Sequence, residues 1–310
     1  MSEHPAPHAR CNQLQTKANG GHFMAERVAV VTDTNCGLTP EDARALGAYA
    51  VPMPFTIDGA EYFEGVNLTA DWFYERQGAG AEVSTSQPLP ADLDKEWRAA
   101  LEDHEELVYI PMSSGLSGSC ASATNFANLY DGRVHVIDNK RISVTQREAV
   151  IDALRWARAG LDAAQIEQRL MESALQASIY LTVSTLDHLR KSGRITPAVA
   201  SIGSVLKIKP VLQIQGAKLD AYSVARSMPS AERIMLKALE RDVNERFGGV
   251  ENVHLYVAHT NREKEACDLA ERVSTLFGGH EEVFMDRLPL SIACHTGAGA
   301  IGVGCARREA

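Results

Sequence analysis

The sequence predicts an α/β fold in two units: a parallel-sheet N-terminal domain and a second α/β domain. Three observations carry this. The chain has 310 residues, and at roughly 100–200 residues per domain two units are the natural division. Short apolar runs such as Val28-Ala29-Val30-Val31 recur between segments with helical spacing, and such runs suit strands buried on both faces. The resulting β-α-β-α rhythm argues for parallel strands with helices on both sides.

The first 24 residues, rich in Pro, His, Asn, Gln and Gly, carry no periodicity and read as a disordered leader. One hypothesis is that Met24 is the true start and the leader a mis-called extension. His4, His8, Cys11 and His22 within this leader match no familiar metal spacing. The N-terminal unit is placed at 25–160. It opens with a strand over 27–31 that ends in the polar Thr32-Asp33-Thr34. A helix follows, with Thr39 as cap, Pro40 in the first turn, Asp42 at the acidic end and Gly47 as its stop. The segment 49–55 is a second strand, which Pro52 and Pro54 push toward a sheet edge. Asp58-Gly59 is a turn. Helices are expected over 68–77, 90–102 and 144–159, with another ending near 128, and strands over 107–110 and 134–137.

The second unit is placed at 161–310. Asp162 and Gln165 form a capping-box pattern that opens a helix. A strand over 179–183 and a short helix over 186–192 closed by Gly193 come next. The stretch 195–206 is apolar but blurred by Gly203. A hairpin over 211–221 follows, then helices over 230–247 and 263–277, and strands over 253–258, 282–285 and 299–304.

Composition excludes several classes. Hydrophobic residues make up 45% and charged residues 23%, which is ordinary for globular proteins and unlike collagen or disordered chains. Lys plus Arg is 31 against 40 for Asp plus Glu, a net charge of −9, which argues against a nucleic-acid binder. No apolar run reaches the roughly 18–20 residues needed to span a bilayer, and the N-terminus has no apolar signal region. The six cysteines form no CxxC pair and read as buried thiols in a reducing compartment. The expectation is a soluble, cytoplasmic protein without a metal or cofactor.

Two polar loops stand out: Val83-Ser84-Thr85-Ser86-Gln87-Pro88, and Pro111-Met112-Ser113-Ser114-Gly115-Leu116-Ser117-Gly118-Ser119. The second follows a buried-type strand and precedes a helix, the position where open α/β sheets bind ligands. Amides at a helix start favour an anion, and glycine permits close approach. Hydroxyls of Thr85 and Ser117 add donors. This pattern suits one carboxylate or phosphate held without a strong positive charge. It equally fits two capping loops with solvated hydroxyls. The loop is not a P-loop, lacking Gly-Lys-Ser/Thr, and has no GxSxG.

The third feature, Ala293-Cys294-His295-Thr296-Gly297-Ala298-Gly299, places a histidine before a glycine-rich turn. His295 suits a local hydrogen bond or a ligand carboxylate. A Cys294–His295 nucleophile is disfavoured, because neighbours on a strand point to opposite faces. Positive charge gathers at Lys191, Arg194, Lys207 and Lys209, with Arg226 nearby. It is either a solvated face or a docking surface for an acidic partner.

Taken together, these landmarks resemble the DegV family of lipid-binding proteins. They are Val31-Thr32-Asp33-Thr34, Ser84-Thr85-Ser86-Gln87-Pro88, Ser113-Ser114-Gly115-Leu116-Ser117-Gly118-Ser119, Lys191-Ser192-Gly193-Arg194-Ile195, Lys209-Pro210 and His295-Thr296-Gly297-Ala298-Gly299. The resemblance implies a long-chain fatty acid in an apolar tunnel, with its carboxylate held by Thr85, Ser117 and His295. Ser84, Ser86, Ser114, Gly115 and Gly118 would support these loops. It also implies a non-enzymatic carrier that presents the acid to a separate ATP-dependent kinase subunit, which makes acyl-phosphate for phospholipid synthesis. Arg194 and Lys191 would face that subunit. Two departures matter. Gly297-Ala298-Gly299 stands where the family commonly has Gly-Pro-Gly, and Ser227-Met228-Pro229 follows Arg226 where many relatives carry basic residues. Phe55, Phe63, Phe73 and Ile110 are available for the tunnel wall. Two other readings stand beside the carrier. One is a stand-alone enzyme, either a hydrolase using Ser117 or a small-molecule kinase, for which the sequence offers no base–acid partner and no nucleotide loop. The other is a regulatory protein with a structural lipid.

Overall fold

The computed structural model describes residues 27–196, 208–216 and 218–309. The expected leader, with its histidines and Met24, and most of the apolar stretch over 195–206 lie outside these residues.

The chain opens with β1 (Val28–Asp33), α1 (Pro40–Leu46) and β2 (Tyr49–Val51). Thr39 and Asp42 exchange the two bonds of a capping box around the start of α1, and Gly47 ends it with φ 89°. A hairpin follows, of β3 (Pro54–Ile57) and β4 (Ala60–Phe63). Its turn residues Asp58 and Gly59 have φ 49° and 83°, as a tight primed turn requires. Next come α2 (Ala70–Gly78), β5 (Val83–Thr85), α3 (Pro90–Leu101), β6 (Glu106–Ile110), α4 (Ser119–Ala127) and β7 (Val134–Val136). Two helices, α5 (Val144–Arg158) and α6 (Ala163–Glu172), close this half, and the Asp162–Gln165 capping box opens α6.

The second half contains β8 (Ala177–Thr182), α7 (Asp187–Ser192), β9 (Lys209–Ile214), β10 (Asp220–Ala225), α8 (Met228–Arg241) and β11 (Val253–His259). It ends with α9 (Glu263–Leu276), β12 (Val283–Arg287), α10 (Leu290–Thr296) and β13 (Ile301–Arg307).

The first sheet is parallel throughout, in the order β2-β1-β6-β7. Period-two alternation splits its side chains between two cores. Val28, Val30, Val108 and Ile110 pack with Ala149, Val150 and Ala153 of α5, while Ala29, Val31, Leu107 and Tyr109 pack with Leu93 and Trp97 of α3. Helices therefore cover both faces, as the rhythm of the sequence predicts. Trp97 is fully buried and meets Tyr109, Phe126 and Tyr130 at 5.3–5.5 Å. Truncating such a side chain costs about 3–5 kcal/mol. Helix α6 begins the segment assigned to the second unit, yet its Ile166 and Leu170 lie in the first core.

The second sheet is six-stranded and mixed, in the order β10-β9-β8-β13-β11-β12. Helices α8 and α9 cover one face, through Met235, Leu239, Leu269 and Val273 packed on Tyr180, Val257, Ile301 and Val303. The opposite face turns toward the first half, where Val144 of α5 meets Tyr256, Ala258 and Ala306.

Several elements differ from expectation. The strand placed over 49–55 is two strands in two sheets: β2 is an edge of the parallel sheet, and after Pro52 and Met53 the chain enters the small antiparallel sheet β4-β3-β5. The polar loop over 83–88 begins as a strand, with Thr85 opposite Phe55. The hairpin's second strand lies at Asp220–Ala225, later than expected, with a register shift between Ala221 and Ser223. The segment around His295 is a helix.

Candidate functional site

One cavity, partly open to solvent, lies where the pieces meet. Met53, Asn35, Met112, Leu116, Ser117 and Ser143 reach it from the segments that follow β2, β1, β6 and β7. These are the carboxyl ends of the parallel strands, the usual ligand position in such sheets. The facing wall is the uncovered side of the six-stranded sheet, with Ile179 and Leu181 of β8 and Ile214 of β9. On β13, the side chains of Ile301, Val303 and Cys305 pack into the core of the second half, while Gly302 and Gly304, with Val303 between them, line the cavity. Alternation thus places two residues without side chains on the cavity floor.

Polar side chains gather at one part of this apolar space. Thr85 ends β5 and His295 lies near the end of α10, and Thr85 Oγ1 and His295 Nε2 are 2.9 Å apart. Ser117 lines the same cavity from the loop before α4. Its Oγ accepts the Ser119 amide at 3.1 Å and lies 2.7 Å from Ser119 Oγ. The two loops abut at Gly118, where an added Cβ would stand 2.9 Å from Gln87 Oε1.

The fold places each group for identifiable reasons. Helix α10 is framed by Pro289 and by Gly297 at φ 73°. Its Leu290, Ala293 and Cys294 pack with Phe55 and Phe73 of the small sheet and α2. The buried Glu64 accepts hydrogen bonds from the Leu290 amide, from the Ser291 amide at 3.4 Å and from Thr34 Oγ1 at 3.2 Å. The turn after the helix is tied by Thr260, whose Oγ1 donates to Gly297 O at 2.7 Å and accepts the Ala300 amide at 2.8 Å. Ala298 in place of a proline leaves this turn closed.

Burial, reinforced by the Arg194 guanidinium, lowers the His295 pKa to about 4. The ring is therefore neutral near pH 7. Its Nδ1 is buried and has no hydrogen-bond partner among the described residues. Burial pushes the Cys294 thiol up to about 12, far from the thiolate that nucleophilic chemistry requires. The strand-based reason for setting aside a Cys294–His295 pair does not hold, since both residues lie on a helix. Cys294 instead turns into the small core and contacts Val83 O at 3.7 Å.

Thr85, Ser117, His295 and the exposed Ser86 line the cavity together. Ser84 is exposed on the strand neighbouring Thr85, on the opposite face by alternation. Ser114 is tied elsewhere: its amide donates to Asp138 Oδ1 at 3.1 Å, and its hydroxyl accepts Lys140 Nζ at 2.9 Å. The Gly115 amide donates to Ser113 Oγ at 3.3 Å. Arg194 is exposed yet lines the cavity, so the polar end lies beside a cation, contrary to the expectation of a site without strong positive charge. Lys191 is exposed on α7. The aromatic wall is also corrected. Phe55 and Phe73 stack edge to face at 5.9 Å inside the small core, Ile110 belongs to the first core, and Phe63 lies on β4. None of the four lines the cavity. Their bulk closes cores, whereas Leu181, Leu189, Ile214 and Leu219 form much of the wall.

Asn35, Ser143, Ser291 and Thr296 are polar lining residues that the sequence reading passed over. The position just past a parallel strand was a usable signal for Asn35. Among the described residues, no group of three or more His, Cys, Asp and Glu is placed to hold a metal. No helix among them is long and apolar enough to cross a membrane.

Fold and cavity together define a class: α/β proteins with an apolar chamber between a parallel sheet and a larger mixed sheet, and with a paired hydroxyl and imidazole on its lining. The chain belongs to the DegV family, whose model, described as "Uncharacterised protein, DegV family", matches residues 27–308. A DegV domain-containing protein of Deinococcus radiodurans is 34% identical over 281 residues, covering 89% of this chain and 97% of that one. A DegV family protein from Thermus thermophilus, described by its fatty-acid binding, superposes with a TM-score of 0.82 at 27% identity, over 91% of this chain and all of that one. A stearic-acid-binding protein from Eubacterium ventriosum gives a TM-score of 0.82 at 25% identity, over 90% and 98% of the two chains.

Proposed function

We propose that this protein binds one long-chain fatty acid in the cavity, carboxylate at Thr85, Ser117 and His295, and presents it to a separate ATP-dependent kinase subunit. The observation that carries the reading is a largely apolar chamber with its hydroxyl–imidazole pole in one place. The fatty-acid binding named for structural relatives supports it.

The chemistry of the pole suits a carboxylate. With Nε2 protonated, the neutral His295 donates to Thr85 Oγ1, which leaves the Thr85 hydroxyl proton for a ligand oxygen. Ser117 Oγ accepts the Ser119 amide and, when it also accepts the Ser119 hydroxyl, keeps its own proton for the second ligand oxygen. Arg194 adds positive potential nearby. The acyl chain supplies most of the affinity, about 0.8 kcal/mol per buried CH2 before ordering costs. The head group needs only that its bonds to water be replaced. Ser117 is bonded to Ser119 and His295 to Thr85, a pairing that favours binding over a serine hydrolase.

Native mass spectrometry tests this. The expected result is a retained mass of a long-chain fatty acid, or uptake of oleate by emptied protein. Protein that is empty as purified and takes up no oleate would overturn the reading.

A further inference from the structure

The cavity has a second polar place, away from the Thr85–His295 pair. Ser143 stands directly before α5, with φ 55° and ψ −135°, a backbone conformation costly for a residue with a side chain. It is 4% exposed and lines the cavity. Its hydroxyl caps none of the α5 amides and pairs with no other described residue. The first helical amides to find carbonyl acceptors are those of Gln146 and Arg147, at Ile142 O and Ser143 O. The Val144 and Thr145 amides ahead of them have no acceptor among the described residues, and Val144 also lines the cavity. A hydroxyl of a largely buried residue that lines the cavity and two unused amides thus meet at the N-terminal end of a 15-residue helix.

The neighbours fix the chemistry this place prefers. The Ser143 amide donates to Asn35 O at 3.0 Å. The Asn35 side chain is occupied, donating to Asp33 at 3.0 Å and accepting from Ser291 Oγ at 2.7 Å. Arg147, one turn along α5, is paired with Asp286 at 2.5 Å. Among the described residues, Arg194, beside His295, is the one Lys or Arg that lines the cavity, so the place suits a neutral oxygen better than a second carboxylate. Ser291, bonded to Asn35, lies one turn before His295 on α10, about 6 Å along the axis, and Ser143, Ser291 and His295 all line the same cavity.

We infer that Ser143 and the first amides of α5 form a second polar subsite, which accepts a hydroxyl or keto oxygen carried on the acyl chain. This rests on the fatty-acid reading above and extends it to oxygenated acyl chains. Donation from the free amides to the ligand oxygen, with the Ser143 hydroxyl as donor or acceptor, would satisfy groups that are costly to bury unpaired.

The test is displacement of a fluorescent fatty acid from full-length protein by stearate, a series of mid-chain hydroxystearates and an ω-hydroxy acid. The variants are S143G, which relieves the positive φ, and S143A, which keeps the steric constraint; thermal melting checks that both are folded. At least one hydroxylated acid should match or exceed stearate on the unmodified protein. Both variants should weaken that acid about tenfold more than they weaken stearate. If stearate binds but every hydroxylated acid is weaker, or none responds to the variants, the subsite is overturned and the fatty-acid reading stands. If no acid binds, stearate included, both are overturned.

Discussion

At the scale of single residues, the proposed site depends on which protons are left over. Thr85 and Ser117 each have a partner inside the protein, His295 Nε2 at 2.9 Å and the Ser119 amide at 3.1 Å. With the His295 proton on Nε2 and the Ser119 hydroxyl donating to Ser117, each keeps a hydroxyl proton for a ligand. Removing a hydrogen bond to a charged acceptor costs about 1.5–3 kcal/mol, or roughly 10- to 150-fold in dissociation. T85A and S117A should each speed fatty-acid release by that order while the melting temperature stays close to the parent's. Unchanged release in both, followed by transfer to acceptor vesicles, would remove these residues from the head-group site. The order of Thr85, Ser117 and His295 along the chain was legible because each falls in a polar motif. The pairing of Thr85 with His295 was not, since it joins residues 210 apart through the packing of α10 on β5.

At the scale of elements, α10 is the part on which the site turns, and it is the element that sequence patterning missed. It has seven residues and no side-chain cap of its own. Its start is held from outside, by Glu64 at the end of the small sheet. Elements with their own local signals were readable: α1 and α6 carry capping boxes, and the alternation of β1 and β6 follows from their apolar runs. Elements defined by distant partners, such as β5 and α10, were not. Burial raises the Glu64 pKa from 4.5 to about 7, against the hydrogen bonds it accepts. Between those values the folded chain holds a proton that the unfolded chain releases, so this group makes stability fall as pH rises, by about 3 kcal/mol in all. Asp33, Asp152 and Asp286 are shifted in the same direction. E64Q should flatten the decline without abolishing it. Thermal melts of both proteins across that pH range would show the difference, and parallel curves would exclude Glu64 as a contributor.

At the scale of the whole molecule, the cavity belongs to neither sheet alone. One wall comes from loops at the carboxyl ends of the parallel strands, the other from the bare face of the six-stranded sheet. Sheet order, and hence which side chains face this space, depends on long-range pairing that local sequence does not encode. Arg194 stands where the cavity meets solvent, and under the proposed function this is where a kinase subunit would approach. R194A should lower acyl-phosphate output with that subunit while release of the fatty acid slows or quickens less than threefold. Equal output would remove Arg194 from the docking surface.

A ligand lying between two sheets also couples them. It binds the folded chain, in which both walls exist, and not the unfolded one, so it stabilises by RT ln(1 + [L]/Kd), about 2.7 kcal/mol at a hundredfold excess over Kd. In a chain of this size each kcal/mol moves the melting temperature by about 2–4 °C or slightly less. Delipidated protein should therefore melt roughly 5–10 °C below the same protein saturated with oleate. The shift should follow oleate concentration logarithmically, and signals from both halves should move together. Trp97 and Trp156 lie in the first half, packed on either side of the parallel sheet, whereas Tyr180 and Tyr256 report from the second sheet. A ligand-induced rise in tryptophan fluorescence melts that leaves the second sheet's tyrosine signals unmoved would mean the lipid contacts one wall only, and the chamber between the sheets would lose its assigned role.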